Sequence, residues 1–359
     1  MNLVVCFKEK PVEEPLIDRM RMAWPKVEII NVGQKDIAAA LLDADFFCGH
    51  AKVPVDWDAV ARKGRLQWIQ SSAAGMDWCL VPSVIESDIV ISTASGVLAD
   101  QVAEHTMALI LAWMRNLTTF FQEQRGPCSP DYRKFIRRPT RDLTGKTVGI
   151  VGFGGVGRRL AQVLAPFQVR ILATDLLPTG KTKHVAELWP PERLDDLLGE
   201  SDVVILCLPL NRLTRGLFDA DRLKKMRPDT LLVNVARGPL IDTDALVAAL
   251  DNKELAGAVV DVTSPEPLPE EHPLWNLPNV IITPHVAGQS HYRFDDVVDI
   301  FVANVHRWCD RQPLINFLTP EGKRLGFPLR SPDYPLWIDV RDVIRDTQAN
   351  TNPQSRSTL

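Results

Sequence analysis

Residues 146–157, KTVGIVGFGGVG, leave this chain little choice of fold. Thr147, Val148, Ile150 and Val151 read as a short buried strand. Gly152, Gly154 and Gly157 follow in G-x-G-x-x-G spacing, and a helix-like pattern (Leu160, Val163, Leu164) begins at once. Each glycine has a mechanical task. Gly152 makes a tight turn, Gly154 lets the backbone approach a pyrophosphate, and Gly157 lets the helix pack closely on the strand. Phe153, Gly155 and Val156 complete the turn. The helix N-terminus offers unpaired N–H groups and a positive dipole end to phosphate.

A glycine-rich turn alone is a weak signal, but this one has a partner. A second apolar segment, 169–174, ends on Asp175, 23 residues past Gly152. A carboxylate there accepts hydrogen bonds from both adenosine ribose hydroxyls and repels a 2′-phosphate. No arginine follows it directly (Leu176-Leu177-Pro178), so the reading is NAD(H) rather than NADP(H). The plainer alternative is an Asp that caps a helix in an ordinary βαβ turn.

At 359 residues the chain is long for one core, which favours two domains. Strands at 2–7, 27–30, 45–49, 66–70 and 89–92 alternate with helices ending near 24 and at 35–42 and 57–62. Such alternation implies parallel βαβ units. A long helix is expected over 95–115, with Ala103, Met107, Ile110, Leu111 and Met114 as its buried stripe, then an irregular arm over 122–142. The alternation resumes with strands at 147–151, 169–174, 203–208, 231–235, 257–261 and 280–283. The fold class is therefore α/β: two Rossmann-like or flavodoxin-like parallel-sheet domains with a cleft between them. Residues 1–100 open the first domain, 101–288 form the nucleotide domain, and 289–317, with a helix over 290–308, return to the first. Residues 318–359 are a proline-bearing extension whose last dozen residues, small and polar, are expected to be disordered. Trp337, Ile338 and Val340 are candidates to tack that extension onto a surface.

A net charge of −4 gives no reason to expect nucleic acid or an anionic membrane as partner. Six cysteines without a C-x-x-C pair argue for reduced thiols, not a disulfide framework or a metal site. The apolar start meets Lys8 and Glu9 too soon for a cleavable signal peptide, and the apolar run 106–114 is too short to span a bilayer. The expected location is cytoplasmic.

Three expected strand ends carry polar residues for which a core has no use. Arg237, in Asn234-Val-Ala-Arg-Gly238, can hold a carboxylate in a bidentate fork. Glu266 stands between two prolines just past a strand, and His285 directly follows another. Together they form a coherent machine. His285 takes or returns the proton of a C2 hydroxyl, Glu266 holds the far ring nitrogen, and Arg237 binds the substrate carboxylate and polarises the carbonyl. Taken singly, each has a bland reading: a surface ion pair, a rigid turn, a loop cap.

Over about 1–317 the chain resembles the D-isomer-specific 2-hydroxyacid dehydrogenase family. The matching pieces are Ser72-Ala-Ala-Gly-Met-Asp77, Val102-Ala-Glu-His-Thr106, Gly145-Lys-Thr-Val-Gly-Ile-Val-Gly-Phe-Gly154 and Cys207-Leu-Pro-Leu210 with Thr214. To these are added Asn234-Val-Ala-Arg-Gly238, Asp261-Val262 with Glu266-Pro267, and Pro284-His-Val-Ala-Gly288. The resemblance implies catalytic roles for Arg237, Glu266 and His285. It implies that backbone N–H groups at Ala74 and Gly75 hold the substrate carboxylate beside Arg237 and His285. For the cofactor it implies Asp261 at the nicotinamide carboxamide, Leu208 and Pro209 beside the adenosine, and Thr214, Val235, Ala236 and Gly288 along the same site. It also implies hinges near 94–102 and 286–292 and a homodimer joined through the nucleotide domain. The arm here (Arg125-Gly-Pro-Cys-Ser-Pro-Asp-Tyr-Arg) lacks the family's frequent Trp, and the tail beyond 318 has no counterpart in the family pattern.

The resemblance points to interconversion of a D-2-hydroxy acid and a 2-keto acid. Formate dehydrogenases resemble this chain but place Gln where Glu266 stands. Phosphite dehydrogenases resemble a pattern with Lys where Ala74 stands, and they remain an alternative. So does an NADH-sensing regulator, similar to the co-repressors that share this fold. Loops at 50–52 and 74–78, with Arg293, are candidates for the side-chain pocket. Polar His50 and Lys52 there suit a small hydroxylated or acidic substrate such as hydroxypyruvate or glyoxylate.

Overall fold

The structure is a computed structural model of the chain and describes residues 1–122, 140–178 and 182–326. The chain divides into two compact units, Met1–Leu98 with the return segment from Ser290, and Ala99–Gln289.

The first unit is built on β1 (Asn2–Cys6), β2 (Glu28–Asn31), β3 (Phe46–Gly49), β4 (Trp68–Ser71) and β5 (Val90–Ser92). They form one parallel sheet in the order β2-β1-β3-β4-β5. All of β3 and β4 is buried, as a parallel sheet covered on both faces requires. On one face Trp68 stacks between Phe301 and Trp308, at ring separations of 5.5 and 5.4 Å, and its Nε1 donates to Ser92 Oγ at 2.8 Å. Phe301 and Trp308 belong to the helix Arg293–Cys309, which brings the chain back to this core. Asn304 fixes that return by donating to Gln70 Oε1 at 2.8 Å.

The beginning of the C-terminal extension is ordered structure. Thr319 caps a short helix, Pro320–Leu325, by accepting from Gly322 N, and Gly326 ends it in the left-handed conformation. Lys323 Nζ donates to Ser87 O at 2.7 Å. Trp337, Ile338, Val340, the last dozen residues and the arm over 123–139 lie outside the described residues.

The second unit holds β6 (Thr147–Val151), β7 (Arg170–Thr174), β8 (Glu187–Trp189), β9 (Val203–Leu206), β10 (Leu231–Asn234), β11 (Gly257–Val260) and β12 (Val280–Ile282). Their order is β12-β11-β10-β9-β6-β7-β8, with every pairing parallel. Strand order reverses between β6 and β9, and in such open sheets ligands bind outside the carboxyl ends at that switch point. Helices Ala99–Met114 and Gly155–Leu164 cover one face, and Leu194–Glu200 and Thr243–Asp251 the other. The register sets Leu206 beside Val151 and Asn234, Asn234 beside Val260, and Val260 beside Ile282. The loops that follow therefore leave from one level edge.

Three details depart from the sequence expectation. The edge strand β8 was not foreseen: three residues bounded by Pro190 are too short for any period to show. β9 stops at Leu206 rather than 208, because Pro209 has no N–H to give the ladder. The long helix begins at Ala99, since residues 95–98 form a turn before it. Among the described residues no helix is long and apolar enough to cross a membrane.

Candidate active site

The nucleotide turn is built by contact with its own sheet. Gly152 has φ +93°, and a Cβ there would lie 2.9 Å from the carbonyl of Cys207, just past the end of β9. A Cβ on Gly157 would lie 2.4 Å from Gly152 O, so this helix approaches its strand as only glycine permits. Gly154 is the N-cap of Gly155–Leu164 and brings no side chain to the first-turn N–H groups, which are left for an anion. Asp175 follows β7, and its carboxylate accepts from Phe153 N at 2.7 Å and Leu177 N at 2.9 Å. A carboxylate has about four acceptor positions, so two remain for ribose hydroxyls. Phe153 is fully buried, its ring in the core and its N–H given to Asp175. Val156 packs partly buried against the same core.

The rest of the expected cofactor set falls along the same edge. Leu208 is half-buried after β9. Thr214 closes the loop that follows, donating to Pro209 O at 2.7 Å and accepting from Asn211 N at 2.9 Å. Val235 and Ala236 are half-buried after β10, and Gly288 is half-buried in the loop after β12. Cys207 sits behind the turn, where burial pushes its thiol up to about 12. These residues fit a dinucleotide: a side-chain-free helix N-terminus, a glycine turn pressed on the sheet, and a carboxylate on the neighbouring strand.

Arg237, Glu266 and His285 follow β10, β11 and β12, three adjacent parallel strands. His285 Nδ1 meets Glu266 Oε1 at 2.6 Å, leaving the opposite ring nitrogen clear of the carboxylate. Both side chains are nearly half exposed, at 45 and 42%. Glu266 Oε2 also accepts from Thr263 N at 3.3 Å. Arg237 joins this group through its backbone. Gly238 packs so closely on the Glu266 loop that a Cβ would lie 1.8 Å from Thr263 O. Asn234 props the turn, donating to Arg237 O at 2.9 Å, and Arg237 Nη1 donates to Ala236 O at 2.7 Å.

Asp261 is only 1% exposed and is surrounded by the His285 loop. Its carboxylate accepts from Thr283 Oγ1 at 2.6 Å, Val286 N at 3.0 Å and Ala287 N at 2.9 Å, while its carbonyl accepts from His285 N at 2.7 Å. His285 itself holds a left-handed φ of +54°. Ala74 and Gly75 belong to the first unit, in the loop after β4, where Ala74 is exposed and Gly75 O accepts from Trp78 Nε1 at 3.2 Å. Sequence reasoning assigned no role to His105 or Thr283, whose side chains meet at 3.1 Å. Their positions on a helix and at a strand end gave no sign of that contact. Among the described residues no group of three or more His, Cys, Asp or Glu could hold a metal ion.

The strand order and glycine turn define a dinucleotide-binding α/β protein with acid–base side chains on the same sheet edge. Residues 107–287 match the family model described as D-isomer specific 2-hydroxyacid dehydrogenase, NAD binding domain. The chain is similar to a glyoxylate reductase of Thermofilum pendens, 35% identical over 275 residues, covering 74% of this chain and 77% of that protein. It is also similar to an (S)-sulfolactate dehydrogenase of Chromohalobacter salexigens, 33% identical over 259 residues, covering 70 and 81%. A solved D-isomer specific 2-hydroxyacid dehydrogenase family protein from Aeromonas salmonicida superposes with a TM-score of 0.74 at 27% identity, over 89% of this chain and 99% of that one. The chain belongs to the D-isomer specific 2-hydroxyacid dehydrogenase family. It is thus an NAD-dependent oxidoreductase, and its second unit is the family's NAD-binding domain.

Proposed function

We propose that this enzyme reduces a small 2-keto acid, such as glyoxylate or hydroxypyruvate, to the D-2-hydroxy acid, with NADH preferred over NADPH. The observation that carries the reading is the His285–Glu266 pair, 2.6 Å apart, on the sheet edge that also bears the nucleotide turn. The glycine turn at 152–157 and the helix behind it hold the pyrophosphate, and Asp175 holds the adenosine ribose. Bound NADH supplies the hydride for C2, and NAD accepts it in the reverse direction.

The remaining work falls to side chains. Glu266, at Nδ1, fixes the ring of His285 so that Nε2 faces the reacting oxygen. In reduction Nε2–H gives its proton to that oxygen, and in oxidation Nε2 takes it back. Arg237 holds the substrate carboxylate as a two-pronged donor and offsets negative charge on the carbonyl oxygen. Ala74 and Gly75 contribute backbone N–H groups to the same carboxylate. Polar His50 and Lys52, in the loop after β3, favour a small hydroxylated or acidic side chain. A homodimer joined through the NAD-binding unit, in the cytoplasm, completes the reading.

The test is NADH consumption with glyoxylate, hydroxypyruvate, pyruvate, phenylpyruvate and branched 2-keto acids, with NADPH in parallel. Turnover confined to the small polar keto acids is expected. Tight NADH binding without turnover on any of them would point instead to an NADH-sensing role.

A further inference from the structure

We propose that His105 is a positioning residue for the reaction. Its Nε2–H closes a hydrogen-bonded chain, His105–Thr283–Asp261, that clamps the backbone on both sides of His285. The proposal rests on the reading of His285 as the proton carrier and adds a residue to which nothing so far assigns a part.

The chain starts from a buried anion. The Asp261 carboxylate draws in the Thr283 hydroxyl and two successive amides, Val286 N and Ala287 N, while its own carbonyl takes His285 N. Three consecutive N–H groups, 285 to 287, thus converge on one residue. This wrapping holds His285 at φ +54°, a conformation that a histidine keeps only when its surroundings over-determine it. Among the described residues no Lys or Arg pairs with Asp261, and the one cationisable group within 4 Å is His105, whose Nε2 lies 3.4 Å from Oδ1. A buried carboxylate without a cationic partner depends on every donor that faces it.

Proton arithmetic then fixes the role of His105. The Thr283 hydroxyl has one hydrogen, and at 2.6 Å from Asp261 Oδ1 that hydrogen is committed to the carboxylate. Towards His105 Nε2, at 3.1 Å, the hydroxyl oxygen can only accept. His105 must therefore carry its proton on Nε2 and donate it to Thr283 Oγ1, with Asp261 Oδ1 3.4 Å from the same nitrogen. Nδ1–H neutral histidine would set two lone pairs against each other and leave the threonine hydroxyl free to turn away from Asp261. The donor comes from the middle of the helix Ala99–Met114, a rigid element that also packs on the nucleotide-binding helix. The clamp is thereby referenced to the part of the unit that carries the cofactor turn.

The experiment compares His105→Ala, His105→Phe and His105→Gln in the full-length protein, with NADH titrated by fluorescence and the preferred keto acid by steady-state kinetics. Loss of the Nε2 donor is expected to lower kcat about tenfold in the Ala and Phe variants, since a misplaced catalytic group costs rate steeply. NADH affinity is expected to stay within about threefold, and Gln, which carries a donor near the same point, to restore kcat to within about threefold of wild type. Equal kcat in the Gln and Ala variants, or wild-type kcat in Ala, would overturn the proposal. A second arm needs no turnover: 15N spectra of histidine-labelled protein, assigned by loss of the His105 signal in the Gln variant, should report the Nε2–H tautomer. An Nδ1–H tautomer would sink the hydrogen-bond chain whatever the kinetics. Failure of the proton-carrier reading is seen separately, as activity surviving in His285→Ala.

Discussion

Glu266 and His285 are 19 residues apart in sequence, yet Oε1 and Nδ1 meet at 2.6 Å because β11 and β12 are parallel neighbours in register. Two residues that act as one unit should show it in a double mutant. His285→Ala is expected to lower kcat by about 10²–10⁴-fold, the usual scale of a positioned acid–base group, with NADH dissociation unchanged within about twofold. Glu266→Gln removes the charge and lets an amide donate to Nδ1, which favours the wrong tautomer, so a loss of about 10²-fold or more is expected. Under the proposed mechanism Glu266 acts on catalysis through the imidazole, so the double variant should be no slower than His285→Ala alone. Multiplicative losses measured by steady-state kinetics would assign Glu266 an independent role.

Asp175 supports the glycine turn through Phe153 N and Leu177 N, and under the proposed function its remaining acceptors take the adenosine ribose. Asp175→Ala should narrow the preference for NADH over NADPH, read as the ratio of kcat/KM values, by removing repulsion of a 2′-phosphate. Loss of the two backbone bonds should also cost about 1–2 kcal/mol in urea denaturation. A cofactor ratio unchanged from wild type would leave Asp175 with the structural duty alone.

The cysteines differ in burial and are expected to differ in reactivity. Cys48 and Cys79 are buried, and burial raises both thiols well above their ordinary value. Cys207 is pushed up to about 12 by the same cause. At pH 8 a thiol with a pKa of about 12 is ionised to only about one part in 10⁴, and the thiolate is the reactive form. Iodoacetamide at pH 8 followed by peptide mapping should therefore label exposed Cys309 and leave Cys48, Cys79 and Cys207 unlabelled until denaturant is added. Labelling of Cys207 in the native protein would mean that the turn behind it opens.

Much of the candidate site is legible in the sequence. The G-x-G-x-x-G spacing located the turn, because the constraint on Gly152 and Gly157 is local: strand, turn and helix lie within a dozen residues. Arg237, Glu266 and His285 stood out because polar residues at the ends of apolar strands have no packing explanation. The clamp around Asp261 was not legible. His105 sits on a helix face that reads only as half-polar, and its partner Thr283 is 178 residues away. Such a contact depends on how the helix Ala99–Met114 is laid on the sheet, which periodicity does not encode. The edge strand β8 escaped for a related reason. Its three residues are held by pairing with β7 rather than by any pattern of their own.

The approach of Gly238 to Thr263 gives a test of how tightly the Arg237 and Glu266 loops are locked together. The clashing atoms are backbone, Thr263 O at 1.8 Å and Ser264 N at 2.8 Å from a would-be Cβ, so no side chain can swing aside. Gly238→Ala must push one loop off the other. Overpacking of this kind costs about 1–3 kcal/mol, and a displacement near 1 Å between cooperating groups can cost about 10²-fold in rate. The expected result is a kcat loss of at least about tenfold with NADH affinity nearly kept, since the glycine turn and Asp175 lie on other strands. Gly145→Ala is the control. Gly145 has a positive φ, +75°, and nothing lies within 4 Å of its would-be Cβ. That variant should lose about 1 kcal/mol from the backbone conformation alone and retain wild-type kcat. If Gly238→Ala behaves like Gly145→Ala, the two loops move independently and the alignment of Arg237 with Glu266 does not depend on this contact.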